Sequence, residues 1–109
     1  MLIAVILAPH LGHLYTNLIA DTIHRFKKIT TKDLTKTIFS TGTDEHGIKV
    51  LQSAAKNNES VSTYCDNISN QYKRLFQASS VETTDFVRTT DQNHKSAVQN
   101  FWVINLNYS

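Results

Sequence analysis

The sequence of 109 residues is short of the residues that cross-link or interrupt small folds: it has one cysteine, one proline and three glycines. The single cysteine, Cys65, excludes an internal disulfide framework and a zinc ribbon, because both require pairs of thiols. The formal net charge of +2 is too small to indicate nucleic acid or an anionic membrane surface as a partner by itself. The composition, 40% apolar and 18% charged, is typical of a soluble globular chain.

Long hydrophobic runs are missing as well. The apolar stretch LIAVILA, residues 2–8, is too short to cross a bilayer. It also lacks the basic start and the small-residue cleavage pattern of a signal peptide. Its continuous aliphatic character is typical of a strand buried on both faces of a parallel sheet. We therefore predict a buried first strand and expect no membrane partner.

Strand-like and helix-like patterns alternate along the rest of the chain. This alternation predicts an α/β fold with a parallel sheet and right-handed crossovers, and we interpret residues 1–109 as a single domain. In chain order, the predicted elements after the first strand are a helix from Leu14, a strand over residues 37–41, a loop over 42–47, a helix from Ile48, a long helix capped by Ser60, a strand over 85–88 and a helix capped by Thr90.

Apolar residues at helical spacing predict which face of each helix is buried. The predicted buried sets are Tyr15, Ile19, Ile23 and Phe26 in the first helix, Ile48, Leu51 and Ala55 in the second, Val61, Tyr64, Cys65, Ile68, Tyr72, Leu75 and Phe76 in the third, and Phe101 with Trp102 in the last.

Two predicted strand ends carry all of the glycines, and the first of them reads PHLGH. In open α/β sheets, ligands bind at the carboxyl ends of the strands. His10 and His13 share a face where the helix begins, and free N–H groups at a helix start attract anions. Gly12 would let a ligand approach the backbone. The pattern predicts hydrogen-bond donors for phosphate oxygens, and the structural alternative is a histidine pair that caps the helix or packs in the core.

The second strand end reads GTDEHG. Asp44 is the first acidic residue after the predicted strand, and Gly42 is expected to leave room beside it. A carboxylate in this position can hold an ammonium group by a charge-assisted hydrogen bond. Glu45 and His46 are expected to point elsewhere on a tight turn, and Lys49 is expected to be a solvated helix lysine.

The same residues also permit a metal site as an alternative. His10, His13, Asp44 and His46 supply nitrogen and oxygen ligands, and three or four such ligands suffice for catalytic zinc. Their spacing matches no metal motif, and the sequence contains neither HExxH nor cysteine pairs.

HLGH, followed about thirty residues later by TGTDEHG, resembles the methionyl-tRNA synthetases. HLGH looks like the HIGH signature of class I aminoacyl-tRNA synthetases with leucine at its second position. The segments CDNISNQYKRLF and TTDFVRTTDQNHKSAVQNFW are similar to the same family. The resemblance runs from about Pro9 to Trp102, and its wording is nearest to the mitochondrial and bacterial branch.

The resemblance implies the first half of a Rossmann-like nucleotide-binding fold, with a parallel sheet and flanking helices. It also implies a methionine–tRNA ligase, which activates methionine with ATP and Mg²⁺ and transfers it to tRNA(Met). By residue, it assigns His10 and His13 to the catalytic phosphate contacts, Pro9 and Gly12 to the ATP site and Asp44 to the methionine amino group. No protein-bound metal is implied. The implied location is the mitochondrial matrix, with the cytoplasm as the alternative.

The ends of the sequence depart from the family. Residues 1–8 and 103–109 are interpreted as foreign to it, since Ala4, Val5 and Ile6 stand where the family typically reads Tyr-Val-Asn. A KMSKS loop, the second half of the fold and an anticodon-binding domain are not in the sequence. We therefore expect an N-terminal catalytic fragment that is inactive alone. A non-catalytic nucleotide- or partner-binding module and a small metal-dependent hydrolase stay open as alternatives.

Overall fold

The structure, a computed structural model, describes residues 2–4, 8–31 and 37–106. It contains three strands that pair in parallel in the order β1-β2-β3, which confirms the predicted α/β fold with a parallel sheet. Their sequential order matches one half of a doubly wound nucleotide-binding sheet. The elements are β1 (Leu2–Ala4), α1 (Leu11–Thr30), β2 (Ser40–Asp44), α2 (Ile48–Lys56), α3 (Val61–Ala78), β3 (Asp85–Arg88) and α4 (Gln92–Leu106).

The second strand lies three residues later than predicted. It spans Ser40–Asp44 rather than residues 37–41, so the first three residues of the predicted GTDEHG loop belong to the strand. Glycine and aspartate are depleted in strands, and here pairing on both sides overrides that preference. Strand β3 has the predicted bounds. The predicted first strand is confirmed for Leu2–Ala4, and its residues 5–7 lie outside the described residues. Residues 32–36 also lie outside them.

Gly42 lies opposite Val87 of β3. A Cβ atom at Gly42 would overlap the carbonyl oxygen of Val87. The expectation that Gly42 leaves room for a ligand beside Asp44 is therefore wrong. Its missing side chain serves the close approach of two backbones within the sheet.

Helix α1 has the predicted helical period but buries the other face. Its buried residues are Asn17, Asp21 and His24, while the predicted set is exposed: Tyr15 (65%), Ile19 (44%), Ile23 (56%) and Phe26 (61%). Asn17 and Asp21 have hydrogen-bond partners, which offset the cost of removing them from water. His24 is only partly satisfied: its Nε2 lies 3.3 Å from the carbonyl oxygen of Thr37, and its buried Nδ1 has no partner among the described residues.

The partners of that polar face come from several parts of the chain. Thr41 Oγ1 of β2 donates to Asn17 Oδ1 at 3.0 Å. Asp21 accepts from Arg25 Nε at 2.7 Å and from the backbone N–H of Glu82 at 3.1 Å. These bonds fix which side of α1 faces the rest of the protein.

Helix α3 forms the centre of the apolar core. Its predicted face is confirmed for five side chains, whereas Val61 is exposed and Leu75 is half-buried. Ser60 caps the helix as predicted, since its hydroxyl accepts from Thr63 N–H at 3.1 Å. The core consists of Phe39, Val50, Ala54, Tyr64, Cys65, Ile68, Tyr72, Phe76 and Val81.

Helices α2 and α4 differ from their predicted faces. In α2, Val50 and Ala54 are buried instead of Ile48, Leu51 and Ala55. The buried side of α2 is thus offset by about a third of a turn from the predicted side. Helix α4 begins after Asp91, and the hydroxyl of Thr90 donates to Glu45 rather than capping the helix.

Phe101 and Trp102 of α4 are 67% and 66% exposed, so their predicted place in the core is wrong. Hydrophobic side chains cover more than one side of α4, and no single apolar stripe directs the helix against the core. Within residues 2–4, 8–31 and 37–106, no helix is long and apolar enough to cross a membrane.

The close approach at Gly42 predicts a strong effect of one added methyl group. We expect Gly42→Ala to lower the free energy of unfolding by about 3 kcal/mol or more, because the methyl group meets backbone that cannot rotate away. Gly47→Ala is the control: Gly47 has a φ of +105° but open space around its Cβ position, so we expect a smaller loss, on the order of 1 kcal/mol. Urea unfolding followed by circular dichroism measures both, and wild-type stability in Gly42→Ala would contradict the account.

Candidate functional site

The candidate site begins where α1 starts, and two histidines cap this helix. His10 is the N-cap residue, with an extended backbone (φ −131°, ψ 174°). Its Nδ1 accepts from the backbone N–H of Gly12 at 3.1 Å. In return, His13 Nδ1 accepts from the backbone N–H of His10 at 3.4 Å. The histidine pair therefore caps α1, which was the structural alternative to phosphate binding. Each ring uses its Nδ1 atom for the cap.

Gly12 makes this cap possible. A Cβ atom at Gly12 would lie 3.0 Å from His10 Cε1 and 3.1 Å from His10 Nδ1. The missing side chain thus lets the His10 ring fold over the first turn of α1. Gly12 was expected to let a ligand approach the backbone, but in this structure the ring of His10 occupies that space.

The two imidazole rings are stacked, with centroids 3.8 Å apart and an angle of 24° between their planes. Burial, followed by the neighbouring charge of His10, lowers the pKa of His13 below its usual 6.5. His13 is thereby kept neutral around neutral pH.

The capping bonds also determine which ring nitrogens stay available. A backbone N–H can only donate, so the Nδ1 atoms of His10 and His13 are both acceptors. A neutral imidazole with an accepting Nδ1 carries its proton on Nε2. The start of α1 therefore offers two Nε2–H donors side by side at the positive end of the helix dipole. The backbone N–H groups of Gly12 and His13, which were expected to bind an anion, are instead bonded to His10 within the cap.

Asp44 lies at the same edge of the sheet. In the parallel register of β1 and β2, Ala4 is the partner of Asp44, so both strands end at one level. His10 follows six residues after Ala4 in the chain. The register thus places the ends of β1 and β2 at one edge of the sheet, and the histidine pair and Asp44 are the polar residues that come at these two strand ends.

The carboxylate of Asp44 is exposed and only partly engaged. Its Oδ1 accepts from the backbone N–H of His46 at 3.3 Å and from Thr89 Oγ1 at 3.4 Å. Its Oδ2 accepts no hydrogen bond from the part of the chain that the structure describes. These two bonds hold the carboxylate in place, and among the described residues Oδ2 is left for another donor.

Glu45 is a buried structural carboxylate, 4% exposed. Arg88 donates to both of its oxygens, from Nε at 2.7 Å and from Nη2 at 3.0 Å. The hydroxyls of Ser69 and Thr90 also donate to it. The single hydroxyl proton of Thr43 is shared between Oε1 of Glu45 at 2.9 Å and Oγ of Ser69 at 3.0 Å. Burial by itself would raise the pKa of Glu45, but these hydrogen bonds outweigh it and hold the pKa at about 2.

Glu45 and His46, the residues that follow β2, both bond to other parts of the protein. Glu45 does point away from a ligand, since all of its bonds are internal. The ring of His46 is also turned inward, with Nε2 at 3.3 Å from the carbonyl oxygen of Thr89. The loop after β2 is therefore braced by the residues that follow β3.

Two buried hydrogen bonds join the helices to β2. Asn17 Nδ2 of α1 donates to the carbonyl oxygen of His13 at 2.9 Å, and Asn17 Oδ1 accepts from Thr41 of β2. On α3, Ser69 Oγ lies 3.0 Å from Thr43 Oγ1 of β2. The first turn of α1 is thus held at a fixed distance from the strand that ends in Asp44.

The metal alternative finds no support in this arrangement. Across residues 2–4, 8–31 and 37–106, no group of three or more histidine, cysteine, aspartate or glutamate side chains is placed to hold a metal ion. The Nδ1 atoms of His10 and His13 serve α1, and His46 is bonded to Thr89. The proposed ligand set of a small hydrolase is therefore not assembled.

Three residues that support the site, Ser69, Tyr72 and Arg88, lie outside the two glycine-bearing strand ends. The sequence predicts a helix or strand position for these residues and no role in the site. In the structure, Tyr72 bonds to His13, and Ser69 and Arg88 bond to Glu45. A buried tyrosine hydroxyl needs a hydrogen-bond partner, and this rule was the one available signal for Tyr72.

The half-sheet with paired histidines at the start of its first helix has the architecture of a class I aminoacyl-tRNA synthetase. The family model described as "tRNA synthetases class I (M)" matches residues 4–107. The chain therefore belongs to the methionyl-tRNA synthetase family of class I enzymes.

Individual relatives agree with the family model. The chain is 46% identical over 95 residues to the mitochondrial methionine–tRNA ligase of Homo sapiens, which covers 87% of this chain and 16% of the relative. It is 41% identical over 93 residues to the methionine–tRNA ligase of Thermotoga maritima, covering 85% of this chain and 14% of the relative. The chain thus spans about one sixth of the length of these relatives.

A solved structure extends the similarity to the fold. The methionyl-tRNA synthetase of Mycobacterium tuberculosis in complex with methionyl-adenylate superposes with a TM-score of 0.82 at 34% identity. The match covers 93% of this chain and 20% of that one. The described fold is therefore that of the corresponding part of a Rossmann-like synthetase catalytic domain.

The buried Glu45–Arg88 pair predicts acid sensitivity. The pKa of Glu45 is about 2 in the folded chain against 4.5 in the unfolded chain. Its contribution is therefore complete above pH 4.5 and is lost as the pH falls toward 2, amounting to about 3 kcal/mol. Urea unfolding at a series of pH values measures this slope.

Glu45→Gln should remove that slope and lower the stability at neutral pH. Glu82→Gln is the control, since its carboxylate is 65% exposed and lies 3.7 Å from Arg25, and we expect it to leave the slope in place. A wild-type slope in Glu45→Gln would refute the assignment.

Proposed function

We propose that this chain forms the N-terminal part of the catalytic domain of a methionine–tRNA ligase, where it binds ATP and methionine for adenylate formation. The observation that carries the proposal is the pair of Nε2–H donors on His10 and His13 at the sheet edge where Asp44 keeps one oxygen open. The methionyl-adenylate held by the superposed Mycobacterium tuberculosis enzyme supports it.

The proposed reaction needs no covalent nucleophile from the protein. The methionine carboxylate attacks the α-phosphorus of ATP, a new carboxyl–phosphate bond forms, and the bond to pyrophosphate breaks. Negative charge builds on the phosphate oxygens during this exchange. His10 and His13 donate hydrogen bonds to those oxygens, and the positive end of the α1 dipole adds to the stabilisation.

Asp44 has a separate role in the proposal. Its open carboxylate oxygen accepts from the ammonium group of methionine, which orients the substrate carboxylate toward the phosphate. Pro9 and Gly12 belong to the nucleotide site through the backbone of the turn around His10, since the His10 ring covers the open side of Gly12. Mg²⁺ enters with the triphosphate as part of the substrate rather than as a resident metal of this chain.

Transfer of methionine to tRNA(Met) is proposed for the family's activity as a whole. The 109 residues cover 16% of the human mitochondrial relative, and we propose that they make up a single partial catalytic domain that does not aminoacylate in isolation. The mitochondrial names of several relatives support a mitochondrial matrix location.

Nucleotide binding tests the site directly. By titration calorimetry with Mg²⁺-ATP, we expect His10→Ala to weaken binding about tenfold, because one charge-assisted donor to phosphate is lost. His94→Ala is the matched control: it removes an imidazole from α4, beside Asp85 and Val87 at the far edge of the sheet. Equal affinities in both variants and the wild type would contradict the proposal.

Two further measurements separate the parts of this proposal. Asp44→Asn should leave ATP affinity unchanged and weaken methionine binding, because its open oxygen faces the amine. Methionine-dependent ATP–pyrophosphate exchange should be undetectable for the 109 residues alone. Exchange that His10→Ala abolishes would overturn the proposed inactivity and keep the assigned site.

A further inference from the structure

Tyr72 connects the core to the candidate site. Its side chain is completely buried, at 0% exposure. Its hydroxyl oxygen lies 2.7 Å from Nδ1 of His13, across 59 positions of sequence. The resemblance gives this tyrosine no role, and the hydroxyl reaches the one catalytic histidine that is partly enclosed by protein.

The direction of this hydrogen bond follows from its neighbours. His13 Nδ1 also receives the backbone N–H of His10 at 3.4 Å. Since that N–H can only donate, Nδ1 is an acceptor and the Tyr72 hydroxyl is the donor. Burial raises the pKa of Tyr72 to about 12, so the hydroxyl keeps the proton that it donates at any physiological pH.

We propose that Tyr72 is a positioning residue, which holds His13 in the tautomer protonated at Nε2 and fixes its ring beside His10. This inference rests on the proposed function, because it explains how His13 presents a donor to a phosphate oxygen. Of its two acceptor contacts, the Tyr72 bond is the shorter and therefore the stronger.

The position of Tyr72 is itself fixed by α3. Its ring lies 6.1 Å from the ring of Phe76 and 5.3 Å from that of His13. Ser69, three residues earlier on the same helix, bonds to Thr43 and Glu45 of the second loop region. The helix that orients His13 is thus the helix that is anchored to the strand ending in Asp44.

Removing the hydroxyl has a defined chemical consequence. In Tyr72→Phe, Nδ1 of His13 keeps only the long contact from the His10 backbone. This long contact still favours a proton on Nε2, but it does so more weakly than the two bonds together, so a larger fraction of the neutral rings carries the proton on Nδ1. The ring also loses its shortest directional contact, so the donor at Nε2 is present for only part of the time.

Nuclear magnetic resonance of the ¹⁵N-labelled chain distinguishes these states. Long-range ¹H–¹⁵N correlation spectra report which ring nitrogen carries the proton. We expect wild-type His13 to be protonated at Nε2 alone, and Tyr72→Phe to show a mixture of the two tautomers. The pKa of His13 should also rise in Tyr72→Phe, since the donor that favours the neutral ring is gone; His10 and Tyr72 are the groups that face it.

Tyr64→Phe is the matched control. It removes a buried hydroxyl from the same helix, 7% exposed, at a position two turns away from Tyr72. We expect it to keep the wild-type tautomer and pKa of His13. A merely structural role for Tyr72 would give both variants the same spectrum of His13.

Binding of Mg²⁺-ATP supplies the second readout. Tyr72→Phe should weaken it up to about tenfold, while Tyr64→Phe should not. His13 protonated at Nδ1 in the wild type, or an unchanged tautomer and pKa in Tyr72→Phe, would overturn the inference. If Tyr72→Phe does not fold, a hydrogen-bond scalar coupling between the Tyr72 hydroxyl proton and His13 Nδ1 in the wild type decides: its presence supports the inference and its absence overturns it. Absence of ATP binding in the wild type would contradict the proposed function, whereas the tautomer alone decides the role of Tyr72.

Discussion

The parallel register between β1 and β2 is the constraint on which the rest of the site depends. Because Ala4 pairs with Asp44, the chain leaves both strands at the same edge of the sheet. The histidine pair follows β1 and Asp44 ends β2, so both lie beyond the same edge of the sheet although more than thirty residues separate them in sequence. A shift of register would move the two groups apart without changing any local motif.

Buried polar bonds, rather than apolar contacts, hold the elements of the site at their distances. Asn17 ties the first turn of α1 to Thr41 of β2, and Ser69 ties α3 to Thr43. These bonds are directional and lie away from water, so they specify one arrangement more narrowly than hydrophobic packing does. The ion pair between Glu45, which follows β2, and Arg88, the last residue of β3, connects the ends of these two strands.

The sequence predicts the local features of this protein well. The helix face of α3, its Ser60 cap and the bounds of β3 follow from apolar spacing and turn chemistry, which are properties of neighbouring residues. The histidine pair and Asp44 were found in the same way, because they flank glycines at strand ends. Their place at one sheet edge followed from the parallel topology.

The features that were mispredicted depend on distant parts of the chain. Periodicity shows that α1 has two faces, but the polar partners of Asn17 and Asp21 decide which face is buried. The strand through Gly42 depends on the backbone of Val87. Tyr72 could be placed on the core side of α3 from sequence, whereas its bond to His13 exists only once α1 and α3 are packed.

The most direct test of the account is the binding of one hydrolysis-resistant analogue of methionyl-adenylate. Such a molecule spans both proposed subsites, so a single equivalent should perturb the ring resonances of His10 and His13 together with the backbone resonances around Asp44. Its affinity should fall in His10→Ala and in Asp44→Asn alike. An analogue that binds but perturbs only one of the two regions would show that the histidine pair and Asp44 do not form a common site.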